Sequence, residues 1–200
     1  MADGICIFGG SFDPVHKGHK KLALFVCEKL KLRKMLIIPA ALSPFKSSSG
    51  ASAEDRMNMC RLAFSEGVFE VSSLEIGRGG KSYTIDTVRA VKELYPNEKL
   101  YLLIGSDQLL SFNKWYKFQE ILENVSLVAV SREKGREEEE LEKFADENLR
   151  ALGECIILDF EPFEISSTEI RNKAAAGENI ENFVDEKVLH YVLSEGLYKK

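Results

Sequence analysis

The chain has 200 residues and a formal net charge of −5, enough for one buried core and without the basic excess of a general nucleic-acid binder. Its composition, 44% hydrophobic and 30% charged, is that of an ordinary globular protein. No apolar run approaches the roughly 20 residues of a membrane span, so no membrane association is expected.

The elements follow in chain order. Met1-Ala2-Asp3-Gly4 leads straight into a strand at Ile5–Phe8, with no signal-peptide pattern, so the cytoplasm is the expected location. Gly9-Gly10 then turns the chain into a helix at Lys17–Leu30, where Leu22, Phe25, Val26 and Leu30 keep helical spacing. A strand at Met35–Ile38 is followed by a polar, small-residue loop from Ser43 to Ser52 and a helix at Ala53–Glu66. A strand at Phe69–Ser72 leads to a flexible connection at Ile76–Lys81 and a helix at Thr84–Leu94. The strand Leu100–Ile104 precedes two short helices, Asp107–Phe112 and Lys117–Glu123, and the strand Ser126–Val130. The charged stretch from Arg132 to Glu147 predicts a helix over Glu137–Leu149 with a solvated outer face and Leu141, Phe144 and Leu149 packing inward. The last strand is Cys155–Phe160, and helices at Ser167–Ala176 and Asp185–Ser194 end near Gly196, which fits a helix C-cap. His190 reads as structural.

Short apolar strands alternating with helices predict right-handed βαβ crossovers. The expected fold is a doubly wound, open parallel α/β sheet with a small C-terminal helical appendage, all in one domain over residues 1–200. Such sheets bind ligands beyond the carboxyl ends of their strands. The four cysteines, Cys6, Cys27, Cys60 and Cys155, lie in largely apolar runs without a C-x-x-C pair and read as reduced core residues.

The stretch Gly9-Gly10-Ser11-Phe12-Asp13-Pro14-Val15-His16-Lys17-Gly18-His19 places two histidines three residues apart at a helix start. Residues at i and i+3 share a helix face, and the helix N-terminus attracts phosphate. A zinc pair would prefer i, i+4 spacing and needs further ligands, so no metal site is assigned. Near the other end, Ser166-Ser167-Thr168-Glu169 reads as a capping box. Capping accounts for Ser166 and Glu169 but not for Arg171 beside extra hydroxyls, a combination that suits polyphosphate.

The first motif resembles the signature of the H-x-G-H nucleotidyltransferase superfamily, and within it bacterial nicotinate mononucleotide adenylyltransferases. Ser82-Tyr83-Thr84-Ile85-Asp86-Thr87, Gly105-Ser106-Asp107, Trp115 and Ile165-Ser166-Ser167-Thr168-Glu169-Ile170-Arg171 match the family in the same order, so the resemblance spans nearly the whole chain. It implies transfer of AMP from ATP to nicotinate mononucleotide, giving deamido-NAD and pyrophosphate in NAD synthesis. His16, His19 and Arg171 would be catalytic. Gly10, Ser11, Gly105, Asp107, Arg132, Ser166, Ser167 and Thr168 would join them in binding ATP. The mononucleotide would meet Ser11, Phe12, Lys46, Thr84, Thr87 and Trp115. Mg²⁺ is implied with ATP.

Some of these positions carry a second reading: Thr84 and Asp107 could each be an N-cap, Trp115 a core residue, and Lys46 and Arg132 solvated charges. The family usually has P-H-K where this chain has Pro44-Phe45-Lys46. Rival functions are phosphopantetheine adenylyltransferase, a cytidylyltransferase, and a non-catalytic nucleotide-binding regulator. A homo-oligomer is compatible with the sequence, which does not specify one.

Overall fold

Alternate residues along the first strand, β1 (Ile5–Gly10), belong to opposite faces of one sheet. A computed structural model describes residues 4–41, 50–131, 135–161 and 165–199. Ile5 and Ile7 pack into one apolar cluster, Cys6 and Phe8 into another. Strands β2 (Lys34–Pro39), β4 (Leu100–Gly105) and β5 (Ser126–Ser131) divide in the same way. Together with β3 (Phe69–Val71) and β6 (Cys155–Asp159) they form a parallel sheet in the order β3-β2-β1-β4-β5-β6. A parallel sheet with both faces buried needs apolar residues at successive positions, which is why β1, β2, β4 and β5 lack polar alternation, while the edge strand β3 exposes Glu70.

Helices cover the two faces. The Cys6 face packs against α1 (Lys17–Leu30) and α2 (Ala53–Ala63) through Ala23, Val26, Met59 and Cys60. The Ile5 face packs against α4 (Thr84–Leu94), α6 (Phe118–Asn124) and α7 (Arg136–Asn148) through Val88, Val91, Ile121, Leu141 and Ala145. The chain then returns to the first face with α8 (Ser167–Ala175) and α9 (Glu186–Ser194), whose Ile170, Val188 and Val192 are buried. The C-terminal helices, expected as a small appendage, thus complete a core layer on this face of the sheet. After α9 the chain closes with Gly196 N–H on the Leu193 carbonyl at 3.3 Å and Leu197 N–H on the Val192 carbonyl at 3.0 Å, Gly196 having φ +62°. That is the left-handed closure expected of a glycine just past a helix end.

The expected strands are all present. Three local readings change. The helix expected over Asp107–Phe112 stops at Leu109, and a separate 3-10 turn covers Phe112–Lys114. Residues 76–81 are not wholly a flexible connection: α3 (Leu74–Arg78) forms there, with its last cap bond from Gly79 N–H to the Glu75 carbonyl. His190 is exposed on α9, 3.9 Å from Glu186 Oε1, rather than packed with its apolar neighbours.

The strand order reverses direction at β1 and β4. From β1 the chain builds outward to β2 and β3, and from β4 outward to β5 and β6. The two loops leaving β1 and β4 therefore diverge and open a crevice at the carboxyl edge, the ordinary ligand position in such a sheet. Gly9-Gly10 and Gly105-Ser106 stand there.

Candidate active site

His16 is the N-cap of α1, and His19 lies one turn on. Their ring centroids are 3.7 Å apart with a 31° tilt. His19 Nδ1 accepts the His16 backbone N–H at 3.2 Å. A neutral ring that accepts at Nδ1 carries its proton on Nε2, so the outer nitrogen of His19 is a donor. Burial lowers the His16 pKa to about 4. Burial, then the neighbouring His16, drives that of His19 well below the ordinary imidazole value. Two imidazoles this close at the positive end of a helix cannot both be charged at little cost. His16 Nδ1 is buried and has no hydrogen-bond partner among the described residues.

Phe12 makes the floor beneath them. It is 1% exposed and lies edge-on to His19 at 5.1 Å and to Phe8 at 5.4 Å. A Cβ at Gly10 would come within 2.9 Å of the Phe12 ring, so glycine is the residue that lets this ring tuck under the turn. The Phe12 side chain therefore faces the core, and any substrate contact would come from its backbone. The Ser11 carbonyl is held by Arg56 Nη1 at 2.8 Å, and the same guanidinium reaches the Ala41 carbonyl at 3.2 Å.

The second motif meets the first. Ser166 caps α8, taking the Glu169 N–H on its hydroxyl at 3.2 Å while Glu169 Oε2 accepts the Ser166 N–H at 2.9 Å. The capping reading thus holds for these two residues. Ser167 and Arg171 reach across to the opening motif. The Ser167 hydroxyl donates to the Pro14 carbonyl at 3.0 Å. Arg171 Nη1 donates to the Asp13 carbonyl at 2.7 Å, and its Nη2 donates to the Thr168 hydroxyl at 3.2 Å. The first turn of α8, with backbone N–H groups that lack intrahelical partners, therefore sits beside the start of α1. Two helix tips and a guanidinium converge there, an arrangement suited to several phosphates.

Next to it lies a cleft of about 560 Å³ lined by Gly9, Gly10, Ser11, Thr84, Thr87 and Trp115, and also by Glu75, Tyr83, Gln108, Lys114 and Tyr116. Trp115 is half-buried, 5.1 Å from the fully buried Phe112, and borders the cleft. It serves the core and the cleft at once. Tyr83 and Tyr116 are exposed at the cleft with rings 5.4 Å apart. Thr87 is buried, giving its hydroxyl proton to Glu75 Oε1 at 2.7 Å and accepting from Arg78 Nη2 at 3.3 Å. The N-cap alternatives fail for Thr84 and Asp107: Tyr83 caps α4, and Gly105 caps the short α5 (Ser106–Leu109), leaving Asp107 exposed at the sheet edge. Lys46, Phe45 and Arg132 lie outside the described residues.

Several residues at or near the cleft were not singled out in the sequence. Arg56 falls in the helix expected over Ala53–Glu66, and Glu75 falls between the expected strand Phe69–Ser72 and the connection Ile76–Lys81. Tyr83 and Tyr116 stand beside residues chosen for other reasons. Only their neighbours in space reveal them.

The cytidylyltransferase-like family model matches residues 7–173. The chain belongs to that family. The cytidylyltransferase-like match takes in the opening motif and Arg171 alike. A relative from Gemmatimonas aurantiaca, named "Probable nicotinate-nucleotide adenylyltransferase", is 39% identical over 97% of this chain and 92% of its own length. Another so named, from Carboxydothermus hydrogenoformans, is 35% identical over 98% of both. These relatives place the chain among the nicotinate-nucleotide adenylyltransferases of the family. In fold it matches the Plasmodium falciparum nicotinic acid mononucleotide adenylyltransferase complexed with NaAD, with a TM-score of 0.80 at 20% identity, covering 98% of this chain and 97% of the other.

Proposed function

We propose that this chain transfers AMP from ATP to nicotinate mononucleotide, releasing pyrophosphate and forming deamido-NAD. One observation carries the reading: Ser167 and Arg171 hydrogen-bond to the carbonyls of Pro14 and Asp13, uniting the two phosphate-suited motifs beside an aromatic cleft.

The attacking group is a phosphate oxygen of the mononucleotide, already ionised at neutral pH. No side-chain nucleophile or general base is needed, and the work is positioning and charge neutralisation. His19 would donate from Nε2 toward the oxygens that gain charge, with His16 beside it. Arg171 and the free amides of Ser167 and Thr168 would hold the leaving pyrophosphate. Ser166, with its hydroxyl engaged in the cap, supports this turn and would offer phosphate little beyond its setting. Gly105 and Asp107, at the end of β4, would face the adenosine side, where an exposed carboxylate can accept from ribose hydroxyls. The pyridine ring would stack on Trp115 with Thr84 and Thr87 close by, and Ser11 and Phe12 would turn backbone groups toward the mononucleotide. Lys46 and Arg132 keep the roles that the family resemblance implies.

Among the described residues no three His, Cys, Asp or Glu side chains gather as a metal cage. Mg²⁺ keeps its waters and binds readily through phosphates, so we read it as part of the MgATP substrate. The four unpaired thiols suit a reducing compartment, and we place the enzyme in the cytoplasm.

The test is pyrophosphate release from MgATP offered with nicotinate mononucleotide, nicotinamide mononucleotide, phosphopantetheine or no acceptor. Fastest release with nicotinate mononucleotide, with deamido-NAD identified by mass, is the expected result. Release with phosphopantetheine alone, or ATP binding without turnover of any acceptor, would overturn the reading.

A further inference from the structure

Asp13 is 3% exposed, and both of its carboxylate oxygens are hydrogen-bonded. Oδ2 accepts the Gly50 N–H at 2.9 Å, and Oδ1 accepts the Ala51 N–H at 3.2 Å. Oδ1 also accepts the hydroxyl of Tyr198 at 2.8 Å, across 185 positions of sequence. A carboxylate withdrawn from water needs such partners, and removing one leaves charge uncompensated.

Tyr198 and Arg171 clasp the same point of the chain. A Cβ at Gly50 would come 2.8 Å from Tyr198 Cδ1 and 3.1 Å from Arg171 Cδ. The tyrosine ring and the arginine stem therefore flank Gly50 with no spare room. Arg171 is braced in addition on the Asp13 carbonyl, and its Nη1 lies 3.9 Å from Oδ2. Tyr198 itself holds φ +64°, a conformation that a non-glycine residue keeps only when its surroundings fix it. Burial and the adjacent Asp13 push its phenol pKa up, so it remains a neutral donor at working pH.

We propose that Tyr198 is a positioning residue for the triphosphate end of the site. Through Asp13 it sets the backbone on which Arg171 is braced and ties down Gly50 and Ala51. It touches no substrate. The inference rests on the reading of Arg171 as a phosphate contact and adds a residue beyond α9 to the machinery that holds it.

Tyr198→Phe removes the hydroxyl and keeps the ring against Gly50. The expected result is a fall of about tenfold in kcat/KM for ATP, the scale of one hydrogen bond to a charged group, with the KM for nicotinate mononucleotide unchanged. Gly50→Ala presses on the same clasp without altering any polar group and is expected to give the same ATP-selective loss. The double variant should be no worse than the poorer single one, because both act on one element. Wild-type ATP parameters in Tyr198→Phe would overturn the proposal. So would equal rises in both KM values, or a loss that follows Tm and disappears on cooling. If the wild-type protein makes no deamido-NAD, the functional reading fails separately. ATP affinity of Tyr198→Phe by calorimetry then still decides the inference: weaker binding supports it and equal binding ends it.

Discussion

The Ser167 hydroxyl donates to the Pro14 carbonyl at 3.0 Å, joining residues 153 positions apart. This bond sets the first turn of α8 against the entry to α1. With the bond from Arg171 to the Asp13 carbonyl, it holds the two motifs together. Ser167→Ala should therefore cost about 1 kcal/mol of stability, the usual worth of one hydrogen bond, and lower turnover as well. Denaturant unfolding and pyrophosphate release measured on the same preparation check it. Lost stability with unchanged turnover would confine the bond to a structural role.

His19→Ala should reduce kcat by about a hundredfold or more, since the proposed chemistry uses it as a donor to charge that develops in the transition state. His19→Asn, which retains an N–H, should recover part of that loss. Single-turnover measurement of pyrophosphate formation separates this effect from product release.

Trp115→Ala should weaken nicotinate mononucleotide binding by about tenfold, near the upper worth of an aromatic contact, and ATP binding much less. Titration of each ligand by calorimetry reads the difference. Equal losses would mean that the packing of Trp115 on Phe112 is its main contribution.

Acid should destabilise the fold through the histidine pair. The folded-state pKa of His16 is lowered to about 4, and that of His19 also lies well below its ordinary value. Between pH 6.5 and about 4 the unfolded chain binds more protons than the folded one, so stability rises with pH across that window. The contribution is complete above pH 6.5 and is lost as pH falls toward the folded pKa. Tm measured from pH 7 to pH 4.5 should drop more steeply for the wild-type chain than for a His16→Asn/His19→Asn variant. Parallel curves would show that other groups govern the acid limb.

Phe112→Ala should cost about 3–5 kcal/mol, the range for emptying a buried aromatic site. Phe112 is fully buried under Trp115, so the same change should loosen mononucleotide binding. Binding that survives at low temperature would separate the core from the cleft.

The sheet was legible because its central strands are short apolar runs. The helix limits Lys17–Leu30 and Thr84–Leu94 coincide with the expected ones, since apolar spacing and a following turn define both. α3 was hidden by Gly77, Gly79 and Gly80, which read as loop, while the helix is stabilised by the distant Thr87 hydroxyl on Glu75. Arg56 carries no mark in the local sequence, yet its guanidinium is drawn inward by the Ser11 and Ala41 carbonyls. Local sequence reports periodicity and turn chemistry. It does not report which distant carbonyl a guanidinium will find.

The end of the crevice that we assign to phosphate is assembled from Asp13 and Pro14 at one extreme of the sequence and from Ser167 and Arg171 at the other. During synthesis on the ribosome, the early β1–α1 unit must wait for α8 to emerge before it can grip a nucleotide. An unfinished chain of this protein should therefore neither sequester ATP nor transfer AMP from it, and competence should arrive only with the final helices.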